Sequence, residues 1–272
     1  MKQFIICLFL LIIPQIQAQE TGHYIYLTAG GGFHNLSCEI QNGTEKGSPG
    51  FTFNAGYGYN FTQHLGLQTG VGLKSFQSSG ILNCLLIENS TDAEGDVYEF
   101  RANYNNWKEN QKALYLNIPL GFQYRFALGK KIKLLTTVGG EITFPLIGNY
   151  SVTSGEIVTT GYYSQWNVEI GDAPRHGLTT VTDRYEGSLP INPSYSVFVD
   201  VGALSKISNH ADLYIGAYFD YGLNNISDSN GFAVYQPDGA YNGMFGSNQI
   251  DKVIPVSVGL KIGLLWNYPC KL

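Results

Sequence analysis

The sequence predicts an all-β chain, an eight-stranded antiparallel transmembrane β-barrel with short periplasmic turns and long extracellular loops. Three observations carry that expectation. Apolar residues recur at every second position in one segment after another. The residues between them are small, polar or charged, and the links between segments alternate short and long. Period two is strand geometry, and alternating link length is what repeated crossing of an outer membrane by hairpins produces.

The first residues carry an address. Met1, Lys2 and Gln3 give a short positive start, residues 4–13 are almost unbroken apolar sequence, and small Ala18 precedes a plausible cut. That is the pattern of a secretory signal peptide, with an apolar run too short to span a bilayer as a helix. Residues 1–18 are therefore expected to be a cleaved leader, and residues 19–272 the barrel domain. Cys7 lies within the leader without the small residue directly before it that a lipoprotein cleavage site needs.

The strands then follow in order. Residues 24–33 alternate weakly, and Phe51, Phe53, Ala55, Tyr57, Tyr59 and Phe61 alternate with Thr52, Asn54, Gly56, Gly58 and Asn60. Leu65, Leu67, Thr69, Val71 and Leu73 enclose Gly66, Gln68, Gly70 and Gly72. The fourth strand sets Leu114, Leu116, Ile118, Leu120, Phe122, Tyr124 and Phe126 against Tyr115, Asn117, Gln123 and Arg125. Weaker alternation covers residues 132–146 and 195–206, and Leu213 to Leu223 repeats the strong form. The last strand is the clearest: Ile254, Val256, Val258, Leu260, Ile262, Leu264 and Trp266 on one face, Ser257, Gly259, Lys261 and Gly263 on the other.

Short links fall at residues 62–64, 129–131 and 208–210, and long ones at 36–50, 75–112, 148–194 and 224–251. The mean hydropathy of −0.06 looks like that of a water-soluble chain. It misleads, because a membrane strand alternates lipid-facing and lumen-facing residues and cancels its own hydropathy. A lipocalin-like barrel shares the alternation but turns its apolar face inward. Here that choice would leave a nearly featureless glycine-rich exterior. With the apolar face outward, small residues fit a narrow lumen that side chains must fill. Phe61, Phe126 and Trp266 then form one interfacial girdle, and Phe51, Phe144 and Tyr221 the other.

The segment from Asn106 to Leu120, with Leu116, Ile118, Pro119 and Leu120 at its end, resembles the Bacteroidetes-type outer-membrane β-barrel family of PorT-like and OmpA-like barrels. Members open their fourth strand with Leu-x-Ile-Pro-Leu. The resemblance implies the fold and an outer-membrane location, but no agreed activity and no catalytic residues. The chain ends at Leu272, so the periplasmic peptidoglycan-binding domain of full-length OmpA is not expected.

By parity Lys74, Arg125, Lys133, Glu141, Asp200, Asp220 and Lys261 face the lumen. Asp200 and Asp220 fall near the same height and need a cation between them, for which Lys261 is the candidate. A structural network that plugs the barrel is the main reading; a gate or proton path is the sharper one. Cys38 and Cys84 lie in the first two outer links. Either they form a disulfide, contributing about 2–4 kcal/mol, or both remain thiols. Cys270, at the other end of the barrel, should stay unpaired. Asp92, Glu94, Gly95 and Asp96 weakly suggest a calcium loop and more simply a hairpin tip.

An enzyme is not expected. His23, His34, His64, His176 and His210 are scattered over termini, turns and loops, and no Gly-x-Ser-x-Gly elbow occurs. The net charge of −5 and the absence of a basic stripe argue against nucleic acid. No metal and no cofactor are expected. The expected partners are outer-membrane lipids and extracellular ligands or other envelope proteins. Trp107, Tyr162, Tyr163, Trp166, Tyr185, Phe232, Tyr235, Tyr241 and Phe245 in the outer links favour binding or adhesion. They could instead pack loop against loop. The alternative function is an accessory role in outer-membrane assembly or secretion.

Overall fold

The computed structural model describes residues 22–129, 131–229 and 231–269, so the expected leader and Cys270 lie outside the described residues. The barrel strands are β1 (Gly22–Ile40), β2 (Gly43–Asn60), β3 (Leu65–Thr91), β4 (Val97–Ala127), β5 (Ile132–Tyr163), β9 (Ser194–Lys206), β10 (Ala211–Gly222) and β11 (Ile250–Pro269). Three short strands, β6 (Val168–Ile170), β7 (Thr180–Val181) and β8 (Glu186–Ser188), flank β5. The eight form an antiparallel ring in chain order, closed by β11 against β1 from Gly22↔Pro269 past Gly30↔Lys261. Closure matters because hydrocarbon offers no partner to an unpaired backbone amide.

The two faces divide as parity requires. Leu260 is 72% and Phe122 69% exposed in the isolated chain, and Ile25, Phe53, Val71, Val138, Ile215 and Val258 share the outer belt. Their neighbours Tyr26, Asn54, Asn117, Thr137 and Asp200 are buried in the lumen. Glycines on the lumen face of β2 make this narrow interior possible. A Cβ on Gly58 would run into the Tyr24 ring, and one on Gly56 would lie 2.6 Å from the Tyr26 hydroxyl. The two tyrosines of β1 thus lie across space that β2 leaves empty.

The short turns fall where expected, closed by Phe61 N–H to Leu65 O (2.9 Å), Leu128 N–H to Ile132 O (3.0 Å) and Ile207 N–H to Ala211 O (3.1 Å). Two of the four long loops are not loops. β1 and β2 run on until residues 41–42 turn the chain, with Asn42 at φ 63°. β3 and β4 continue to the tip at residues 92–96. Backbone pairing persists above the membrane, but the outward residues there need not be greasy, so the pattern fades while the ladder does not. From Leu73 to Thr91 the extension is roughly 60 Å of strand. Residues 164–193 and 223–249 remain largely irregular and fold back over the barrel mouth.

Arginine at Val258, mid-belt, is expected to cost about 2–4 kcal/mol in urea unfolding from lipid vesicles. Arginine at Val97, on the extension, should change stability by no more than about 0.5 kcal/mol. Equal costs at the two sites would mean that the lipid boundary is misplaced.

Candidate functional site

Two groups of side chains fill the ring, one at mid-lumen and one at the outer mouth. At mid-lumen Lys74 of β3 reaches across the barrel, paired with Glu141 of β5 and 3.1 Å from Asp220 of β10. Asn117 also donates to Glu141 (3.4 Å), and the Ser257 hydroxyl donates to Asp220 (2.5 Å). One layer away, the Lys261 ammonium lies 2.9 Å from both oxygens of Asp200 and 5.0 Å from the centre of the Tyr218 ring. His34 Nδ1 sits 2.9 Å from the Ser75 carbonyl and must donate there, which leaves neutral Nε2 to accept from Tyr218 at 2.5 Å.

Parity therefore placed Lys74, Arg125, Glu141, Asp200, Asp220 and Lys261 on the correct face, but not their partnerships. Lys261 serves Asp200 alone, and Lys74 takes the place between carboxylates that Lys261 was expected to hold. A strand period says which side a residue faces, not which residue meets it from the opposite wall. Arg125 stands apart from the carboxylates. Its guanidinium lies 4.9 Å from the Tyr24 ring centre and donates to Gln123 (3.3 Å). Gln123 also accepts from Tyr24 (2.5 Å) and donates to Gln68 (2.7 Å), making a floor near the periplasmic end. Lys133, at the end of β5, is exposed and joins neither group. Between floor and ion pairs a cavity of about 40 Å³ touches Lys74, Glu141, Asp200, Asp220, Lys261 and Tyr214. Charged and apolar side chains line it together, and it has room for water.

At the outer mouth the lumen closes again around a second core. Trp107, Tyr104, Phe100, Met244, Phe245 and Ile226 are almost completely buried. Trp107 donates its indole N–H to Tyr241 (3.0 Å), and Tyr241 stacks on Tyr185 with centroids 4.6 Å apart. The expectation of a broad aromatic contact surface is corrected accordingly. Trp107, Tyr163, Tyr235 and Phe245 are buried, and Tyr185 and Tyr241 pack against the same core. Trp166 and Phe232 stay open, each 57% exposed, and Tyr162 is half-buried under Arg101.

Sequence reading missed the polar centre of this cap, Glu109. It is fully buried and accepts from Tyr241 Oη (2.6 Å), Gln111 Nε2 (2.8 Å) and the Met244 backbone N–H (3.0 Å). Burial pushes its carboxyl above the usual range, against the opposing effect of these donors. The signal is present in the sequence: Trp107, Glu109, Gln111, Ala113, Tyr115 and Asn117 share one parity, although the residues between them up to Lys112 are polar and lack the apolar alternation that marks a strand. At the β3–β4 tip Asp92 accepts from the N–H groups of Asp96 (2.9 Å) and Glu94 (3.0 Å) and from the Tyr163 hydroxyl (3.1 Å). Those bonds, that of Asp96 first, hold its carboxyl below the usual range and fit a turn cap.

Cys38 and Cys84 are free thiols rather than a disulfide. Cys38 lies on β1, paired with Val253 of β11, and Cys84 lies on β3, paired with Tyr104 of β4. Burial, followed by Glu45 and Glu109, pushes the Cys38 thiol up to about 12.

The sequence profile of the outer membrane protein beta-barrel domain family matches residues 17–228. The chain belongs to this family. No curated protein matches it closely enough to count as a relative. Similar solved structures include OprG of Pseudomonas aeruginosa, with 10% identity, 94% of this chain and 100% of that one covered, and a TM-score of 0.43. Neisserial surface protein A gives 12% identity, coverages of 90% and 97%, and a TM-score of 0.37. The attachment invasion locus protein Ail of Yersinia pestis gives 10% identity, coverages of 93% and 100%, and a TM-score of 0.34.

For this outer-membrane barrel, Lys74→Met should cost about 3–5 kcal/mol, since it leaves Glu141 and Asp220 buried side by side without their cation. Adding Glu141→Gln should recover part of the loss. Equal urea midpoints for all three proteins would mean that the groups are solvated.

The cap should respond to pH in a defined direction. The docked cap holds the Glu109 proton more tightly than an undocked chain does. Docking is therefore strongest below the ordinary carboxylate range and weakens as pH rises through the raised value. Limited proteolysis at exposed Asp238 should speed up over that rise, and Glu109→Gln should flatten the profile.

Proposed function

We propose that this outer-membrane barrel is a surface protein that binds through its outer extension, structural rather than catalytic, and not a diffusion pore. The observation that carries the reading is apolar surface in the wrong solvent. Leu85 and Ile87 are each 51% exposed, Val97 59% and Trp166 57%, all on chain that continues past the lipid belt. Leu85 and Ile87, two residues apart on one face of the strand, give this exposed apolar surface its continuous part, and such a part is a candidate contact site. Against a pore stand the mid-lumen ion pairs of Lys74 and Lys261 with Glu141, Asp200 and Asp220, the Arg125 floor beneath them and the cap above them. Residues 1–18 act in this reading as the export leader, and outer-membrane lipids cover the belt.

The alternative, an accessory role in envelope assembly or secretion, would act through the periplasmic turns. These are only a few residues each, which gives a partner little to hold.

The test changes the outer groups without touching the cap. Leu85→Ser, Val97→Ser and Trp166→Ser together should leave heat-modifiable migration intact and lower the adherence of expressing cells, to host cells or to one another, several-fold. Photo-crosslinkers at Gln63 and Asn209, in the periplasmic turns, should capture little. Unchanged adherence together with strong crosslinking from those turns would favour the accessory role instead.

A further inference from the structure

Above Leu82, strand β3 has only one partner. β2 accompanies it no further than Gly43↔Leu82, where the β1–β2 hairpin ends, while β4 stays paired out to Thr91↔Val97. Among the described residues no strand pairs with the other edge of residues 83–91. Unpaired edges are templates for another strand, and proteins usually blunt them with lysine, proline or a cover. This segment contains neither lysine nor proline. Its one irregularity, a register shift between Leu82 and Cys84, lies at its base.

The edge is also held rigid. Cys84 and Leu86 pack inward against the cap core, so the strand cannot curl away to hide its amides. Outward, Leu85 and Ile87 stand on the same face, with Val97 opposite Thr91 on the neighbouring strand. An incoming strand with apolar residues at alternate positions would cover them while completing the ladder.

Charge narrows the occupant. Asp92, Glu94, Asp96, Glu99 and Glu169 surround the strand and its tip, while Glu88 turns inward and accepts from Asn248 (3.3 Å). The basic group among them, Arg101, lies 2.7 Å from Glu99 and 3.6 Å from Glu169. The excess extends across the whole outer part: leaving out buried Glu109, residues 36–50, 75–112, 148–194 and 224–251 hold 15 acidic and 6 basic side chains. A second copy of this chain would therefore bring acid against acid.

We propose that residues 83–91 of β3 form a docking edge for an extended, basic segment of a partner protein, which adds to the sheet as a further strand. The proposal rests on the surface-binding reading and gives that surface a partner class. Backbone hydrogen bonds supply the affinity, and Leu85, Ile87 and the acidic rim select the sequence.

The test uses the full barrel in lipid nanodiscs and three fluorescent eight-residue peptides. One alternates Lys and Val, one alternates Glu and Val, and the third is the Lys–Val peptide methylated at alternate backbone nitrogens, prepared in both registers. The Lys–Val peptide should bind and should slow hydrogen exchange in residues 83–91. The Glu–Val peptide, and at least one methylated register, should bind at least tenfold more weakly. Leu85→Lys with Ile87→Lys should weaken the Lys–Val peptide at least tenfold while heat-modifiable migration is unchanged.

Equal binding of the Lys–Val peptide and both methylated registers would overturn the proposal, because charge alone would then hold the peptide. So would a dimer of the barrel that the two lysine substitutions dissolve, since the edge would then belong to a second copy. If these peptide results fail while the serine variant still loses adherence, the docking edge falls and the surface-binding reading stands. If adherence is unchanged as well, both fall.

Discussion

The pairing of β11 with β1 is the contact on which the rest of the molecule depends. Inside hydrocarbon an open sheet edge leaves a row of amides with nothing to bond, and each costs several kcal/mol. Closing eight strands removes that edge and at the same time sets the lumen width. At that width the interior cannot hold a water column and must be filled by side chains. Ring size thus decides the chemistry inside before any particular residue is chosen.

What fills the lumen follows from that width. Tyr24 and Tyr26 take the space over Gly58 and Gly56, and large rings on one strand require missing side chains on the next. The charges obey a similar constraint. Glu141 and Asp220 can lie close together because Lys74 reaches both, and Ser257 and Asn117 supply further donors. A buried pair of this kind adds little net stability over a well-packed apolar filling, yet it is costly to break by removing one partner. Its contribution is to fix which walls face each other, because Lys74 joins β3 to β5 and β10 across the lumen.

Much of this was legible in the sequence, and the parts that were not share one cause. Period two assigns every residue to a face, so the six lumen charges, the belt and the short turns could be read directly. It carries no information across the lumen, so Lys261 was matched to Asp220 when Lys74 is the residue that meets it. Nor does it report a ladder whose outward face is no longer greasy. The stretches that became the ends of β1 and β2 and the upper halves of β3 and β4 therefore looked like loops. Glu109, Trp107 and the two thiols were misjudged for the same reason. Once the chain is known to be strand there, parity puts Glu109 and Trp107 inside, and Cys38 and Cys84 take separate places in the ladder, against β11 and β4.

The upper half of β3 shows how one strand passes between two solvents. Around Val71 an outward apolar side chain meets lipid, and the edge of the strand is paired on both sides. Around Leu85 and Ile87 the same outward parity meets water, and among the described residues no strand pairs with one edge. Everything that stabilises the lower half in the membrane is, in the upper half, capacity left over: apolar area without a covering surface and amides without a ladder. The cap uses the inward side of this sheet, with Glu109, Trp107 and Met244 binding the irregular outer segments to it. The outward side and the free edge are not consumed by folding. A chain that needed only to seal its own barrel could have turned near Leu82, where the β1–β2 hairpin does, so the longer β3–β4 hairpin is best understood through what it presents outside.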